Sequence, residues 1–147
     1  MTSSSTSSLN GSPSVRQSGL PAARGSSIQF LLRLEGLGVA AVTALIYART
    51  GASWWLFAAL WLAPDLSMLG YLAGRCHGAR IYNAMHTYVG PVALGMCACL
   101  LHANLAAMAI ALIWANHIGV DRLLGYGLKY GDGFGFTHLG QVGKEPR

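Results

Sequence analysis

A chain of 147 residues in which 53% are hydrophobic and only 10% charged lacks the charge density of a soluble domain, where about 25% is usual, and reads as one integral membrane domain. The net charge of +5 comes from Lys and Arg scattered singly between apolar stretches, which excludes a basic nucleic-acid-binding stripe and points to a membrane-topology signal. Cys76, Cys97 and Cys99 cannot all pair with one another and read as small packing residues.

Residues 1–26 are rich in Ser, Thr, Gly and Pro and contain no apolar run that could offset the cost of ordering the backbone, so a disordered tail is expected there. Residues 27–143 form the expected membrane domain, with 144–147 as its C-terminal end. Four apolar stretches follow the tail: about Ile28 to Tyr47, Trp54 to Leu72, Ile81 to Leu101, and Leu105 to Leu124. Each approaches the roughly 20 residues that cross a bilayer as a helix. The separators ARTGAS, GRCHGAR and HAN are short enough to join antiparallel neighbours, so the expected fold is an all-α, integral membrane, antiparallel four-helix bundle. After Leu124 the segment GYGLKYGDGFGFTHLGQVGKEPR is too rich in Gly for a helix. It reads as an ordered loop with Tyr126, Tyr130, Phe134 and Phe136 at the membrane interface.

With four spans, both termini and the GRCHGAR loop share one side, which collects every basic residue except Arg49. The positive-inside rule makes that side cytoplasmic. A face of small residues, Gly36 to Ala40, offers a surface through which two copies could form a homo-oligomer.

Function is expected where charge enters the apolar stretches, because an ionisable group inside a span costs about 2.5–3.5 kcal/mol and usually faces a protein interior. Glu35, Asp65, His86, His117 and Asp121 are such groups. In an antiparallel bundle all five fall within about 10 Å of the cytoplasmic face at 1.5 Å per residue. His117 and Asp121 are four residues apart, hence on one helix face. Imidazole and carboxylate suit zinc, iron or manganese. Pro64 permits a kink beside Asp65, and Asn83 lies about one turn before His86. His138, in THLG, is on the correct side to fold back as a further ligand.

These residues make Asp65, His86, His117, Asp121 and His138 the expected ligands of one divalent metal, zinc first. Glu35 is the expected general base for hydrolysis of a lipid-borne ester or amide. The alternatives are a metal-free carrier of protons, cations or small molecules, and a non-enzymatic assembly factor whose polar network only fixes helix register. The lipid bilayer is the one partner the composition implies. The glycine runs GYG and GDGFG follow no strand and open no helix, which excludes a nucleotide-binding loop.

The motifs YNAMHTYVGP (Tyr82 to Pro91), HIGVDRLLGYGLKY (His117 to Tyr130) and THLG (Thr137 to Gly140) make residues 28–143 resemble the bacterial family catalogued as domain of unknown function 4260. The resemblance implies a small multi-span membrane protein and no particular activity. By residue type and depth alone, the chain is also similar to membrane-bound metal-dependent hydrolases such as alkaline ceramidases and adiponectin-receptor-like proteins. It has four expected spans where the ceramidase group has seven, and no matching HxxxH pair.

Overall fold

The computed structural model describes residues 22–101, 105–131, 136–137 and 139–141. The tail up to residue 21, the ligand expected at His138 and the interface residue Phe134 lie outside the described residues. Helix α1 (Ala22–Arg49) is followed by α2 (Trp54–Trp61), a 3-10 helix (Ala63–Ala73), α3 (Arg75–Met85), α4 (Val89–Leu100) and α5 (Leu105–Leu124). A two-residue hairpin then pairs β1 (Phe136–Thr137) with β2 (Gly140–Gln141) in antiparallel register, Phe136 opposite Gln141. Helix α1 thus begins at Ala22, inside the segment expected to be tail.

Among the described residues, three segments are long and apolar enough to cross a membrane: Ser27–Arg49, Trp54–Ala73 and Leu105–Leu124. They leave large side chains such as Phe30, Leu45, Trp55, Leu66 and Leu72 exposed, which is the expected outer surface of a chain whose solvent is hydrocarbon. Helix α5 is the centre of the fold. Its neighbours are α1, α4 and α2, while the 3-10 helix packs on α3. Helices α1 and α5 approach closely, backbone to backbone. A Cβ on Gly36 would lie 2.7 Å from the Gly119 carbonyl oxygen, and one on Gly119 would lie 2.9 Å from the Ala40 amide. Gly36 and Ala40 of α1 are therefore packed on α5 within one chain, through the close backbone approach that small residues allow in membranes.

The second crossing changes helix type part-way. Pro64 stands at the start of the 3-10 segment, where its missing N–H cannot continue the α-helical ladder, and the Asp65 amide bonds the Leu62 carbonyl at 3.1 Å instead. At a rise of about 2.0 Å per residue against 1.5 Å, the tighter winding lets the combined segment reach about 34 Å.

The expected third span is divided. Residues His86 to Tyr88 form a turn between α3 and α4, and α4 alone, with 12 residues, is about 18 Å long and falls short of the roughly 30 Å hydrocarbon core. Pro91 has no N–H to extend a helix backward through the turn. The freed carbonyls find protein donors: Trp114 Nε1 donates to the Met85 carbonyl at 2.6 Å, and Arg122 Nη2 to that of His86 at 3.3 Å. Irregular backbone at membrane depth is tolerated when satisfied in this way.

Candidate metal centre

Four side chains from three different elements converge. Asp65 comes from the first turn of the 3-10 helix, His86 from the turn that ends α3, and His117 and Asp121 from successive turns of α5. One donor atom from each lies within 4.8 Å of all the others. The Nε2 atoms of His86 and His117 are 3.3 Å apart. Asp65 Oδ1 lies 3.4 Å from the first and 3.5 Å from the second, and Asp121 Oδ2 lies 3.5 and 3.8 Å from them. The imidazoles are buried, at 3% and 1% exposure, whereas Asp65 is 38% exposed and Asp121 16%.

Local structure sets each donor's direction. His86 Nδ1 lies 3.0 Å from the Tyr82 carbonyl; a proton on Nδ1 makes that bond and leaves the Nε2 lone pair facing the group, the arrangement metal-bound histidines use. The Tyr82 ring stacks on the His86 ring at 3.8 Å, and its hydroxyl donates to Asp121 Oδ2 at 3.4 Å. Trp61 meets the His117 ring edge-on at 5.0 Å and donates to Asn116 Oδ1 at 3.0 Å. Asn116 in turn donates to the Ala40 carbonyl and to Thr43 Oγ1. His117 Nδ1 is buried with no hydrogen-bond partner among the described residues. The end of α5 is held by Gly125 at φ 93°, with the Tyr126 amide on the Asp121 carbonyl at 2.8 Å and the Gly125 amide on that of Arg122 at 3.1 Å, a Schellman cap.

Two carboxylate oxygens and two imidazole nitrogens at these separations bring electron pairs together beside two buried rings. Such a group requires protons or a cation between its members. The Asp65, His86, His117 and Asp121 group can hold a metal ion. The three cysteines are all exposed and free, so every donor is nitrogen or oxygen.

The group opens on one side into a cleft of ≈ 330 Å³ lined by Asp65, Met68, Tyr82, Asp121, Tyr126 and Lys129. Lys129 is 6% exposed and is carried there by the segment after α5. That segment is tied to α3 through Asn83, which donates to the Lys129 carbonyl at 2.8 Å and accepts from its amide at 2.7 Å. Lys129 also bridges Thr137 of β1, and its ammonium sits 4.2 Å from the centre of the Tyr82 ring. Burial pushes the Lys129 ammonium down to about 8, against the opposing pull of the Asp121 and Asp65 carboxylates.

The sequence profile of the domain of unknown function DUF4260 matches residues 29–142. The chain belongs to this family. No curated protein and no solved structure matches it. All four members of the DUF4260 group, together with Tyr82, Asn83 and Lys129, fall within the matched residues.

Of the residues the sequence singles out, Asp65, His86, His117 and Asp121 are brought together in this DUF4260 chain. Glu35 is not among them. It is exposed and lines a separate cleft of ≈ 260 Å³ with Tyr88, Arg122 and Leu139. Its distance from the ends of the spans resembles that of the others, but its helical phase turns it to another side of α5. Two residues beside the site, Tyr82 and Lys129, are not among those the sequence singles out for it, Tyr82 reading there as a packing or interface residue. Tyr82 stands four residues before His86, a spacing that puts both on one helix face. Lys129 carries no comparable signal, because only tertiary pairing with Asn83 brings it to the cleft.

Proposed function

We propose that this DUF4260 chain is a membrane-embedded metalloenzyme in which His86, His117 and Asp121 hold one divalent ion, zinc by preference, in a site open toward the cytoplasm, with Asp65 beside the position left for water. The ion serves hydrolysis of an ester or amide carried by a lipid. The observation that carries the reading is the spacing of the donor atoms. A tetrahedral zinc with bonds of about 2.0–2.1 Å separates its ligands by about 3.3–3.4 Å, and five of the separations here run from 3.3 to 3.8 Å. Octahedral magnesium, with adjacent ligands about 2.9 Å apart and a preference for oxygen, fits both the distances and the donors less well.

When bound, such an ion supplies Lewis acidity toward a carbonyl oxygen and a water acidified toward neutral pH. The chain supplies the rest. His86 and His117 bind from the closed side. Asp121 is oriented by Tyr82, and Asp65, the most exposed of the four, stands at the cleft to take a proton from water, the role the sequence suggested for Glu35. Support for a lipid substrate comes from an apolar groove of ≈ 220 Å³ that includes Leu60, Pro64, Met85, Ile110, Ile113 and Trp114. It begins at the residues beside Asp65 and His86 and suits an acyl chain. A conduit has less support: past the Asn116–Thr43 layer the neighbours are the apolar core of Tyr47, Ala109, Leu112 and Ile113.

Metal analysis of detergent-purified protein, followed by single-turnover assays with lipid esters and amides, tests the proposal. Near-stoichiometric zinc that is lost in His117→Ala and Asp121→Ala, together with turnover abolished in Asp65→Asn, is the expected result. Wild type free of metal after purification without chelator removes the metal centre. Zinc-loaded protein inert toward every lipid ester and amide removes the hydrolase.

A further inference from the structure

Two hollows flank the donor group, and the helices set them in a fixed order. On α5, Ile110, Ile113 and Trp114 line the apolar groove, His117 follows as a donor, and Asp121 is both donor and wall of the polar cleft. These residues recur at three- and four-residue spacing and so share one helix face. The second crossing repeats the order: Leu60, Ala63 and Pro64 line the groove, Asp65 is a donor at the cleft, and Met68 lines the cleft beyond it. Groove, donors and cleft therefore follow one another in line on two elements. Among the described residues the groove's lining is apolar. Its one polar side-chain atom, Trp114 Nε1, is bonded to the Met85 carbonyl at 2.6 Å, and the Trp114 ring is fixed against Gly90, where a Cβ would meet it. At the far end Ile110 is 40% exposed, on a surface that hydrocarbon covers.

An amphiphile laid along this line has its tail in the groove, its head in the cleft and the bond between them at the donors. From Ile110 to His117 is about 10.5 Å at 1.5 Å per residue. A zigzag chain with bonds of about 1.52 Å at about 111° advances about 1.25 Å per carbon, so this length takes about 8 carbons. The groove's ≈ 220 Å³ then leaves about 27 Å³ for each carbon, close to the ~30 Å³ a water molecule occupies in the liquid, which is room for one chain and not two. We infer that the substrate in the reading above, on which this inference rests, is a single-chain amphiphile: a fatty acyl ester or amide with its acyl chain in the groove and its polar leaving group in the cleft. The bond cut is the acyl bond itself. The water oxygen bonds to the acyl carbon, the C–O or C–N bond breaks, and the proton that water gives up ends on the departing oxygen or nitrogen. A fatty acid is left in the groove and an alcohol or amine in the cleft. Because the chain arrives from hydrocarbon, packing and not release of water holds it there, and its position is what an experiment must read.

Hydroxamic acids test this without any assay of turnover, since the head chelates zinc and the chain begins at its carbonyl. Zinc-loaded full-length protein in a neutral maltoside detergent is photolabelled with decanohydroxamic acid carrying a diazirine at its sixth carbon, and the label is located by peptide mass spectrometry. Label on the groove, at Leu60, Met85 or Ile110, that is abolished by zinc removal or by excess acetohydroxamic acid is the expected result. Ala63→Trp, which fills the groove, should weaken decanohydroxamic acid at least tenfold and leave acetohydroxamic acid within threefold. The two-chain 2-octyldecanohydroxamic acid should bind wild type at least tenfold more weakly than the one-chain acid. Label on outward residues such as Leu45 and Leu72, or label that zinc removal leaves unchanged, reports contact with detergent alone and overturns the inference, as does equal binding of the two-chain acid; acetohydroxamic acid that still binds then leaves the metal centre standing. Should Ala63→Trp fail to load zinc, the position of the label in wild type decides. Zinc-loaded wild type that binds no hydroxamic acid has no coordination position open to a ligand, and this removes the hydrolase and the inference together. Wild type unable to load zinc removes the metal centre as well.

Discussion

Exchanging His117 for Gln gives the sharpest test of the metal centre, because it keeps the side chain's approximate volume against Trp61 while replacing a good zinc ligand with a poor one. His117 Nε2 lies 3.3 Å from His86 Nε2, 3.5 Å from Asp65 Oδ1 and 3.8 Å from Asp121 Oδ2, so it occupies one corner of the tetrahedron. Four-donor zinc sites bind with about 10–16 kcal/mol, which is about 2.5–4 kcal/mol per donor. At about 1.4 kcal/mol per decade, His117→Gln should weaken zinc binding by about 10²–10³-fold. Competition against a chromophoric zinc chelator in detergent measures this directly, with His86→Gln as a parallel case. X-ray absorption of the zinc-loaded wild type should show nitrogen and oxygen only, at about 2.0–2.1 Å. Zinc bound equally by wild type and both variants would refute the reasoning, as would a sulfur shell near 2.3 Å.

Three further outcomes follow from the packing. Gly119→Leu drives a side chain into α1, where even a Cβ lies 2.9 Å from the Ala40 amide, and should destabilise the protein by about 1–3 kcal/mol or more, read as a lower midpoint of thermal unfolding in detergent. Asn83→Ala removes both bonds to Lys129, about 1–3 kcal/mol of local stabilisation, and should speed tryptic cleavage after Lys129; an unchanged rate would show that the segment is held by other contacts. Lys129 should react with amine acylating reagents with an apparent pKa near 8, against the ordinary 10.5. The unfolded chain keeps this proton up to about pH 10.5 while the folded chain releases it near 8. The group therefore penalises folding fully below pH 8, and stability should rise with pH between these values. A Lys129 reactivity profile centred near 10.5 would mean that the ammonium is not desolvated.

Much of the architecture is legible in residue order because hydrocarbon as a solvent imposes simple rules. Long runs with few charges must be helical, and the first, second and fourth apolar stretches correspond to the three segments able to cross a membrane. Depth along a helix is likewise readable: Asp65, His86, His117 and Asp121 were drawn together by counting residues from the ends of their spans, and they meet. Counting does not fix azimuth around a helix, and this is why Glu35, at a comparable depth, faces a different cleft. The division of the third stretch was also hidden. A break at His86 to Tyr88 is admissible only because Trp114 and Arg122, from another helix, satisfy the freed carbonyls.

The sequence by itself therefore determined the solvent, the helical class and the level at which charge is buried, since each depends on composition and spacing along one chain. Tertiary structure decided which of those charges share a space, that Pro64 and the 3-10 winding turn Asp65 toward the histidines, and that Asn83 brings Lys129 from the segment after α5 to the same cleft. Those outcomes rest on the rotation of helices about their axes and on hydrogen bonds between residues far apart in the chain, which one-dimensional spacing does not encode.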